Sequence, residues 1–546
     1  MRKIIITAFV KTKGKFCVRT FAFLTHRMVT QNVMQSGYEI FISNQGPQRY
    51  YKCISDIGEY EARNLGFAVK GPEILNVPAA TIKTFYYQRL ISFIFSRPQI
   101  RRSIIVAQYF NKPIVFPLKR DWIEIFEKNG FRFQKRTSIA LWKLFNVTLI
   151  LKQLVQYISF IFSYKPKRNS HKNSSQENSY KKIFFYDFPP GSLLSDDNGL
   201  HYKNTITWIK KNMQGNSGLV AFSKYGSNCQ NSNHVKLNNI YGDILISKEL
   251  IIISKLLIYI AKNLKNFKNI GFLFLNLNEL LDFNRILCYR KKIIVNEVYF
   301  NCSLGATKPL WAYAEENIGI ENYLLFYATY TEPRFEVDQV QLGGEWRLAT
   351  WKNYIVPDLF LKSELESLIP KINQKFYVLG LAWWVDCKDV LDDEMKPVVV
   401  IFDKPPRNSL YLFSLLAING CDTHDYQEKF LSDILKVYKD LDCLILYKSK
   451  RPSDDFRYNQ FIARIKLEYT ENFRVINEEY APIRLMENAS VVISRAGSST
   501  AFIANTEGKN SIIYDPAGIV NPNDPSYRDT RVIQNVVSLK NYVAQF

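Results

Sequence analysis

The chain has 546 residues, too many for a single hydrophobic core, so two or three domains are expected. A hydrophobic content of 47% excludes wholesale disorder. Lys and Arg number 72 against 50 Asp and Glu, and the resulting charge of +22 suits phosphorylated substrates, an anionic membrane surface or a nucleic acid.

The eight cysteines form no CxxC pair and the five histidines are dispersed, which argues against a zinc site; neither a metal nor a bound cofactor is expected. Scattered cysteines in a large chain fit a reducing compartment, so a cytoplasmic protein is expected. Met1–Val10 begins like a signal peptide, but Lys11, Lys13 and Lys15 cut its apolar run short. Lys3–Val10 therefore reads as a first strand.

Residues 1–135 read as a mixed α/β extension. Further strands are expected at Tyr38–Ser43, Ser103–Ala107 and Pro113–Phe116, and a helix at Trp122–Lys128 closed by Asn129-Gly130. Within 136–165, Ile139–Tyr164 is the most apolar window of the chain, yet Lys143, Asn146, Lys152, Gln153 and Gln156 interrupt it. A charge near the centre of a membrane span costs about 2.5–3.5 kcal/mol. The window therefore reads as a helix lying in a membrane interface or buried against protein, and the basic Lys165-Pro-Lys-Arg168 that follows suits anionic head groups. Residues 166–181 are polar, lack apolar periodicity and form a linker.

From Lys182 onward apolar strand-like runs alternate with helical patterns, the signature of parallel, doubly wound sheets. The fold class is α/β, with two Rossmann-like halves at 182–370 and 371–546, the second opening near Phe376–Gly380. Ligands of such sheets sit outside the carboxyl ends of the strands.

Two strand ends in the second half carry residues suited to anions. Val491-Val-Ile-Ser494 is a buried strand that breaks at Gly497, and a helix starts on Ser498, Ser499 and Thr500. Free N–H groups and the positive end of the helix dipole can hold a phosphate there, although the same residues suit an ordinary capped corner. Lys448-Ser-Lys-Arg451 follows another apolar strand and would present point charges and a bidentate guanidinium at the same sheet edge. Asp440-Leu-Asp442 precedes a strand and reads as a solvated turn rather than a metal site.

These residues resemble a known group. The second half looks like the donor-binding domain of two-domain glycosyltransferases of the GT-B fold, and the chain is similar to bacterial surface polysaccharide biosynthesis proteins of the PFTS-motif type. The likeness rests on Pro309-Leu-Trp-Ala-Tyr-Ala-Glu-Glu316, Leu325-Phe-Tyr-Ala-Thr329, Thr350-Trp-Lys-Asn-Tyr354, Val399-Val-Ile-Phe-Asp403, Tyr447-Lys-Ser-Lys-Arg451, Ser498-Ser-Thr500 and Tyr514-Asp-Pro516. The eponymous Pro-Phe-Thr-Ser is replaced here by Ala496-Gly-Ser-Ser499.

The resemblance implies a metal-independent glycosyltransferase that moves a sugar from a nucleotide-activated donor to a growing surface polysaccharide (capsule or O-antigen) or a lipid-linked acceptor. It would work at the inner face of the plasma membrane, where an anionic surface suits the basic charge. Lys448, Lys450, Arg451, Gly497, Ser498, Ser499 and Thr500 would hold the donor phosphates. Asp403, Arg495 and Asp515 would line the nucleotide or sugar pocket. An inverting mechanism needs a base for the acceptor hydroxyl, and Asp187, at the end of the first strand of 182–370, is the candidate, with Asp196 and Asp197 as alternatives. Each is also an ordinary turn or cap residue. Two other readings stay open. One is a nucleic-acid-binding protein, but the Lys and Arg are spread evenly and no recognition motif appears, so no nucleic acid is expected. The other is a non-catalytic partner with a degenerate transferase fold.

Overall fold

Short apolar runs settle into helix or strand according to what they pack against, and in the N-terminal region most become helix. The computed structural model describes residues 98–148, 181–186, 205–214, 219–223, 235–239, 296–302, 307–326, 349–369, 373–381, 396–406 and 421–545 apart from a few single positions. It also describes most of 36–64 and a few isolated residues. Lys3–Val10, Asp187, Asp196, Asp197, the linker through residue 180 and the apolar window from residue 149 onward lie outside them.

The described residues among 36–43 are helical, and α1 follows at Gly46–Asn64. The expected strand at Ser103–Ala107 lies inside helix α2, Pro98–Tyr109. There Ile100, Ile104 and Ile105 are buried at helical spacing. The expected strand at Pro113–Phe116 amounts to one bridge between Ile114 and Phe133. Helix α3, Arg120–Lys128, ends as expected at Asn129, with Gly130 in the left-handed region at φ +82°. The next helix, α4 over 135–148, lays Trp142 against Trp122 at 5.6 Å between ring centroids. The described N-terminal residues thus form a helical unit with its own core around Trp122, Ile123 and Phe126.

The first parallel sheet has seven strands in the order β3-β2-β1-β4-β5-β6-β7. In chain order these are β1 Lys181–Tyr186, helix α5 Thr205–Ile209, β2 Leu219–Ser223, β3 Val235–Asn239, β4 Glu297–Asn301, helix α6 Leu310–Glu316, β5 Glu321–Leu325, β6 Asn353–Val356, helix α7 Leu359–Leu368 and β7 Lys375–Val378. Strand β7 pairs with β6, so Phe376–Gly380 closes the first half instead of opening the second. A half-exposed edge strand and the first strand of a new domain carry the same apolar pattern, and only the pairing tells them apart.

The second sheet has six strands in the order β10-β9-β8-β11-β12-β13. It runs from β8 Val398–Asp403 through helix α8 His424–Tyr438, β9 Leu444–Ser449, helix α9 Phe456–Glu468 and β10 Phe473–Ile476. It continues with helix α10 Pro482–Glu487, β11 Val491–Arg495, helix α11 Thr500–Thr506, β12 Ser511–Tyr514, β13 Arg531–Ile533 and helix α12 Val536–Val543. All six residues of β8 are buried because both faces of the sheet are covered. Val399 and Ile401 pack into one core with Phe430, Ile434 and Leu539. Val398, Val400 and Phe402 pack into the other with Leu485, Met486 and Phe502. The strand period of two sends alternate residues to opposite faces, and each fully buried one contributes about 1.5–3 kcal/mol.

Both sheets therefore share one plan. The chain enters at a central strand, winds outward on one side, returns to the other side of that strand and winds outward again. The reversal falls between β1 and β4 in the first sheet and between β8 and β11 in the second.

Two of the sequence motifs meet on the helix layer of the first sheet. The Tyr313 hydroxyl bonds Thr350 Oγ1, and Asn322 Nδ2 on β5 donates to the Ala312 carbonyl of α6 at 2.7 Å. Trp311 packs on Phe184, Tyr186 and Phe300 at centroid distances of 5.1–5.7 Å. Lys308 is buried beneath this layer, ion-paired to Glu316 and 4.6 Å from the Tyr313 ring. Burial pushes its ammonium down to about 8, against the pull of Glu316. Pro309–Glu316 and Thr350–Tyr354 are thus framework, clamping α6 onto β5 and β6.

Candidate functional site

A doubly wound sheet opens a crevice where neighbouring strands send their connections to opposite sides, outside the carboxyl ends. In the second sheet that point lies beyond Asp403 of β8 and Arg495 of β11, whose strands pair in parallel register. The residues gathered there fall into a buried floor and an exposed rim.

Arg495 anchors the floor and is fully buried. Its Nη1 donates to Asp403 Oδ1 at 3.0 Å and to the Lys404 carbonyl at 2.9 Å, and its Nη2 bonds Asp422. Lys404 adds a second cation on Asp422 at 2.7 Å. Asp403 Oδ2 accepts from Tyr447 at 2.8 Å and from Gln427 at 3.3 Å, and Tyr447 in turn meets the Tyr458 hydroxyl at 3.1 Å. Burial works against the Arg495 charge, but Asp403 and Asp422 more than offset that and raise its pKa above the ordinary value. Burial, then Asp403, push the Tyr447 phenol well up, so Tyr447 is a neutral donor at any physiological pH.

Of the three residues expected to line a nucleotide or sugar pocket, Asp403 and Arg495 are joined to each other in this floor. Asp515, also buried, uses Oδ2 to accept from the Val520 amide at 2.9 Å and from Gln534 at 3.3 Å, which ties down the loop after β12.

The rim comes from two loops. Gly497 has φ +76°, a conformation that only glycine adopts without strain, and it turns the chain from β11 into α11. Thr500 Oγ1 meets Ser494 Oγ at 2.5 Å and Ser498 Oγ at 2.9 Å. Ser499, the N-cap residue of α11, makes no side-chain cap bond. Gly497, Ser498, Ser499 and Thr500 are all half-exposed. Gly497→Ala is expected to cost about 1–2 kcal/mol of stability, because the left-handed conformation is unfavourable for any residue with a Cβ. A shift in denaturant midpoint corresponding to less than a third of that would show the turn to be adaptable.

The second loop follows β9. The three cations expected to act together are separated: Lys448 is buried on the strand, whereas Lys450 and Arg451 are exposed beyond it. Ser449 Oγ donates to the Arg451 carbonyl at 2.9 Å, and the Lys450 amide donates to the Asp403 carbonyl at 2.8 Å, which fixes the loop to the floor.

Sequence reading missed one pair. His424, at the start of α8, places Nε2 2.8 Å from Asp455 Oδ1, and Asp455 also caps α9 through the Tyr458 amide at 2.9 Å. The His424 hydrogen bond holds the Asp455 carboxyl below its usual range. Both helix starts lie at the carboxyl edge, because each helix follows a strand of the parallel sheet. No local pattern marks the pair, which is 31 residues apart. Among the described residues no cluster of His, Cys, Asp and Glu could hold a metal ion.

Compared with known proteins, residues 258–543, just over half of the chain, match the family described as polysaccharide biosynthesis PFTS motif protein. The chain belongs to this family. The matched span includes the end of the first sheet and all of the second, so the floor and both rim loops lie within the PFTS-motif region. No curated protein matches the chain. Among solved structures, a sucrose-phosphate synthase from Thermosynechococcus elongatus is similar, with 10% identity and a TM-score of 0.36 over 67% of this chain and 89% of that one. A UDP-N-acetylglucosamine 2-epimerase from Neisseria meningitidis, bound to UDP-GlcNAc, has 12% identity and a TM-score of 0.33 over 67% and 91%. The wall teichoic acid polymerase TagF has 12% identity and a TM-score of 0.35 over 74% and 87%.

Proposed function

We propose that this PFTS-motif protein is a glycosyltransferase with a GT-B-like arrangement, moving a sugar from a nucleotide-activated donor to a growing surface polysaccharide or a lipid-linked acceptor. The observation that carries the reading is the second sheet's reversal point, where the half-exposed Gly497–Thr500 turn and the exposed Lys450 and Arg451 share one edge. The acceptor oxygen would attack the anomeric carbon as the bond to the donor phosphate breaks, the electron pair leaving with the nucleotide. Backbone N–H groups of the turn and the two cations would stabilise that charge without a metal or a cofactor. Asp187, which directly follows β1 in the sequence, is the proposed base for the acceptor proton. Asp515 and Asp403 would serve by holding the pocket's loops, and Arg495 and Lys448 by supporting the floor.

The test is nucleotide release by the purified protein across a panel of UDP-, GDP- and CMP-sugars, alongside nucleotide binding. Arg451→Ala removes one charge-assisted contact and is expected to weaken nucleotide binding about 10- to 100-fold with unchanged stability. Binding equal to that of the parent would sink the rim assignment. Binding without turnover on any donor and acceptor would favour a non-catalytic partner.

Association with an anionic membrane belongs to the same proposal. It is supported by Leu144 and Val147, which are 62% and 44% exposed on α4 next to the exposed Lys143. No helix among the described residues is long and apolar enough to cross a membrane.

A further inference from the structure

Arg528 follows a short turn of helix at Pro525–Tyr527, in the loop between β12 and β13, and reaches out of its own domain. Its Nε donates to Asp358 Oδ2 at 2.6 Å. Asp358 belongs to the first sheet's half, where its other carboxyl oxygen accepts from the Leu361 amide at 2.8 Å and caps α7. One carboxylate therefore both starts a helix of the first half and holds a guanidinium of the second. The guanidinium carbon also lies 4.6 Å from the centroids of two rings, Phe360 on α7 and Phe502 on α11. Phe502 stands two residues beyond Thr500, in the helix that the rim turn begins.

The backbone that presents this side chain is unusual. Arg528 and Asp529 are consecutive non-glycine residues in the left-handed region, at φ +48° and +61°. Such residues persist only where surrounding contacts over-determine them, and they concentrate at clamps and switches. The contacts here are the Arg528 Nη1 bond to the Ser526 carbonyl at 2.5 Å and the Asp524 cap on the Ser526 amide at 2.9 Å. The guanidinium is 12% exposed and its Asp358 partner 28%, so solvent screens the ion pair only in part.

We propose that Arg528 is a coupling pin between the two halves, making the position of α11, and hence of the Gly497–Thr500 turn, depend on the capped start of α7. A ligand that orders the turn would be felt in α7 through Phe502, the guanidinium and Asp358. A change in the first half that moves α7 would be felt at the turn. The pin needs no assumption about which anion the turn holds; only its consequence for a nucleotide sugar rests on the proposed transferase activity.

Hydrogen exchange on the full-length protein tests it, with no ligand present. Arg528→Met is expected to speed amide exchange in both α7 and α11 by about tenfold, while α3 in the N-terminal unit exchanges as in the parent. Asp358→Asn, which can still cap α7, is expected to loosen α11 with little change in α7. The double variant should match Arg528→Met in α11. Arg528→Lys, which retains the charge but not the planar fork, guards against a global folding defect and should fall between parent and Arg528→Met. Loosening confined to the Arg528 loop, or α11 unchanged in Asp358→Asn, would overturn the pin. A second arm adds UDP at saturation. Protection of α11 and α7 together in the parent, but of α11 alone in Arg528→Met, is the expected result. Protection of α11 alone in the parent overturns the coupling, whereas failure of UDP to bind counts against a uridine nucleotide as donor and leaves the ligand-free comparison to decide the pin.

Discussion

Arg495→Met is expected to lower the stability of this protein by about 3–5 kcal/mol, because it strands Asp403 and Asp422 in a buried site without their shared cation. Removing one member of a buried ion network costs far more than the network itself contributes, since the remaining charges keep their desolvation penalty. Lys404 still reaches Asp422 at 2.7 Å, whereas Tyr447 and Gln427, which also bond Asp403, are neutral donors. Arg495→Lys should recover only part of the loss, because an ammonium cannot reproduce the fork that meets two carboxylates and the Lys404 carbonyl at once. The measurement is equilibrium denaturation monitored by far-ultraviolet circular dichroism. A loss below about 1 kcal/mol in Arg495→Met would mean that the floor rearranges freely. The contrast with Arg451→Ala separates the two layers of the site: one substitution should remove stability, the other ligand affinity.

Lys308→Met is expected to change the pH dependence of stability. The folded-state pKa of Lys308 is about 8, against 10.5 for a free lysine, so between those values the unfolded chain binds more protons than the folded one. The contribution of Lys308 to stability therefore rises with pH across that window, by up to about 1.4 kcal/mol per unit and about 3 kcal/mol in all. Below about pH 8 the full cost of burying the ammonium is present in the parent. Relative to Lys308→Met, the parent should thus gain stability from about pH 8 to 10.5. Taking the difference between the two proteins cancels the buried tyrosines and cysteines, which titrate in both. Parallel stability curves would show that Lys308 is not buried as a charge. The substitution leaves Glu316 near Lys352, 3.7 Å away, so the variant retains a partner for the carboxylate.

How much of this was legible from the residues depended on how local the cause was. The alternation of Val398–Asp403 with the helical stretch of α8 announces a parallel sheet, because a strand buried on both faces must be apolar throughout. The Gly497 turn was visible because glycine is the cheap solution to a positive φ. Ser103–Ala107 was not, since five apolar or small residues carry no period, and α2 is decided by packing. Phe376–Val378 suits either half by its apolar pattern, and only its pairing with β6 shows where it belongs. Lys448 and Arg451 read as one cationic loop, yet the strand extends through Ser449 and takes Lys448 into the interior. The role of Arg495 was hidden most deeply. A cation beside a glycine turn looks like a ligand contact, and only the approach of Asp403 and Asp422 from distant segments makes it part of the framework.

That distance also bears on how the chain is made. Asp403 emerges from the ribosome 92 residues before Arg495, and β8 pairs with β11 along Val399–Phe402 and Val491–Ser494. Until β11 is synthesised, β8 has one open edge, and the carboxylate at its end has no guanidinium to meet. At about 5–20 residues per second, that interval lasts roughly 5–20 s. Over that time the edge of β8 that β11 will cover stays apolar and unpaired, open to solvent or to a chaperone. The last half of this protein is therefore most vulnerable to aggregation during a defined period of its own synthesis, which closes when residue 495 arrives.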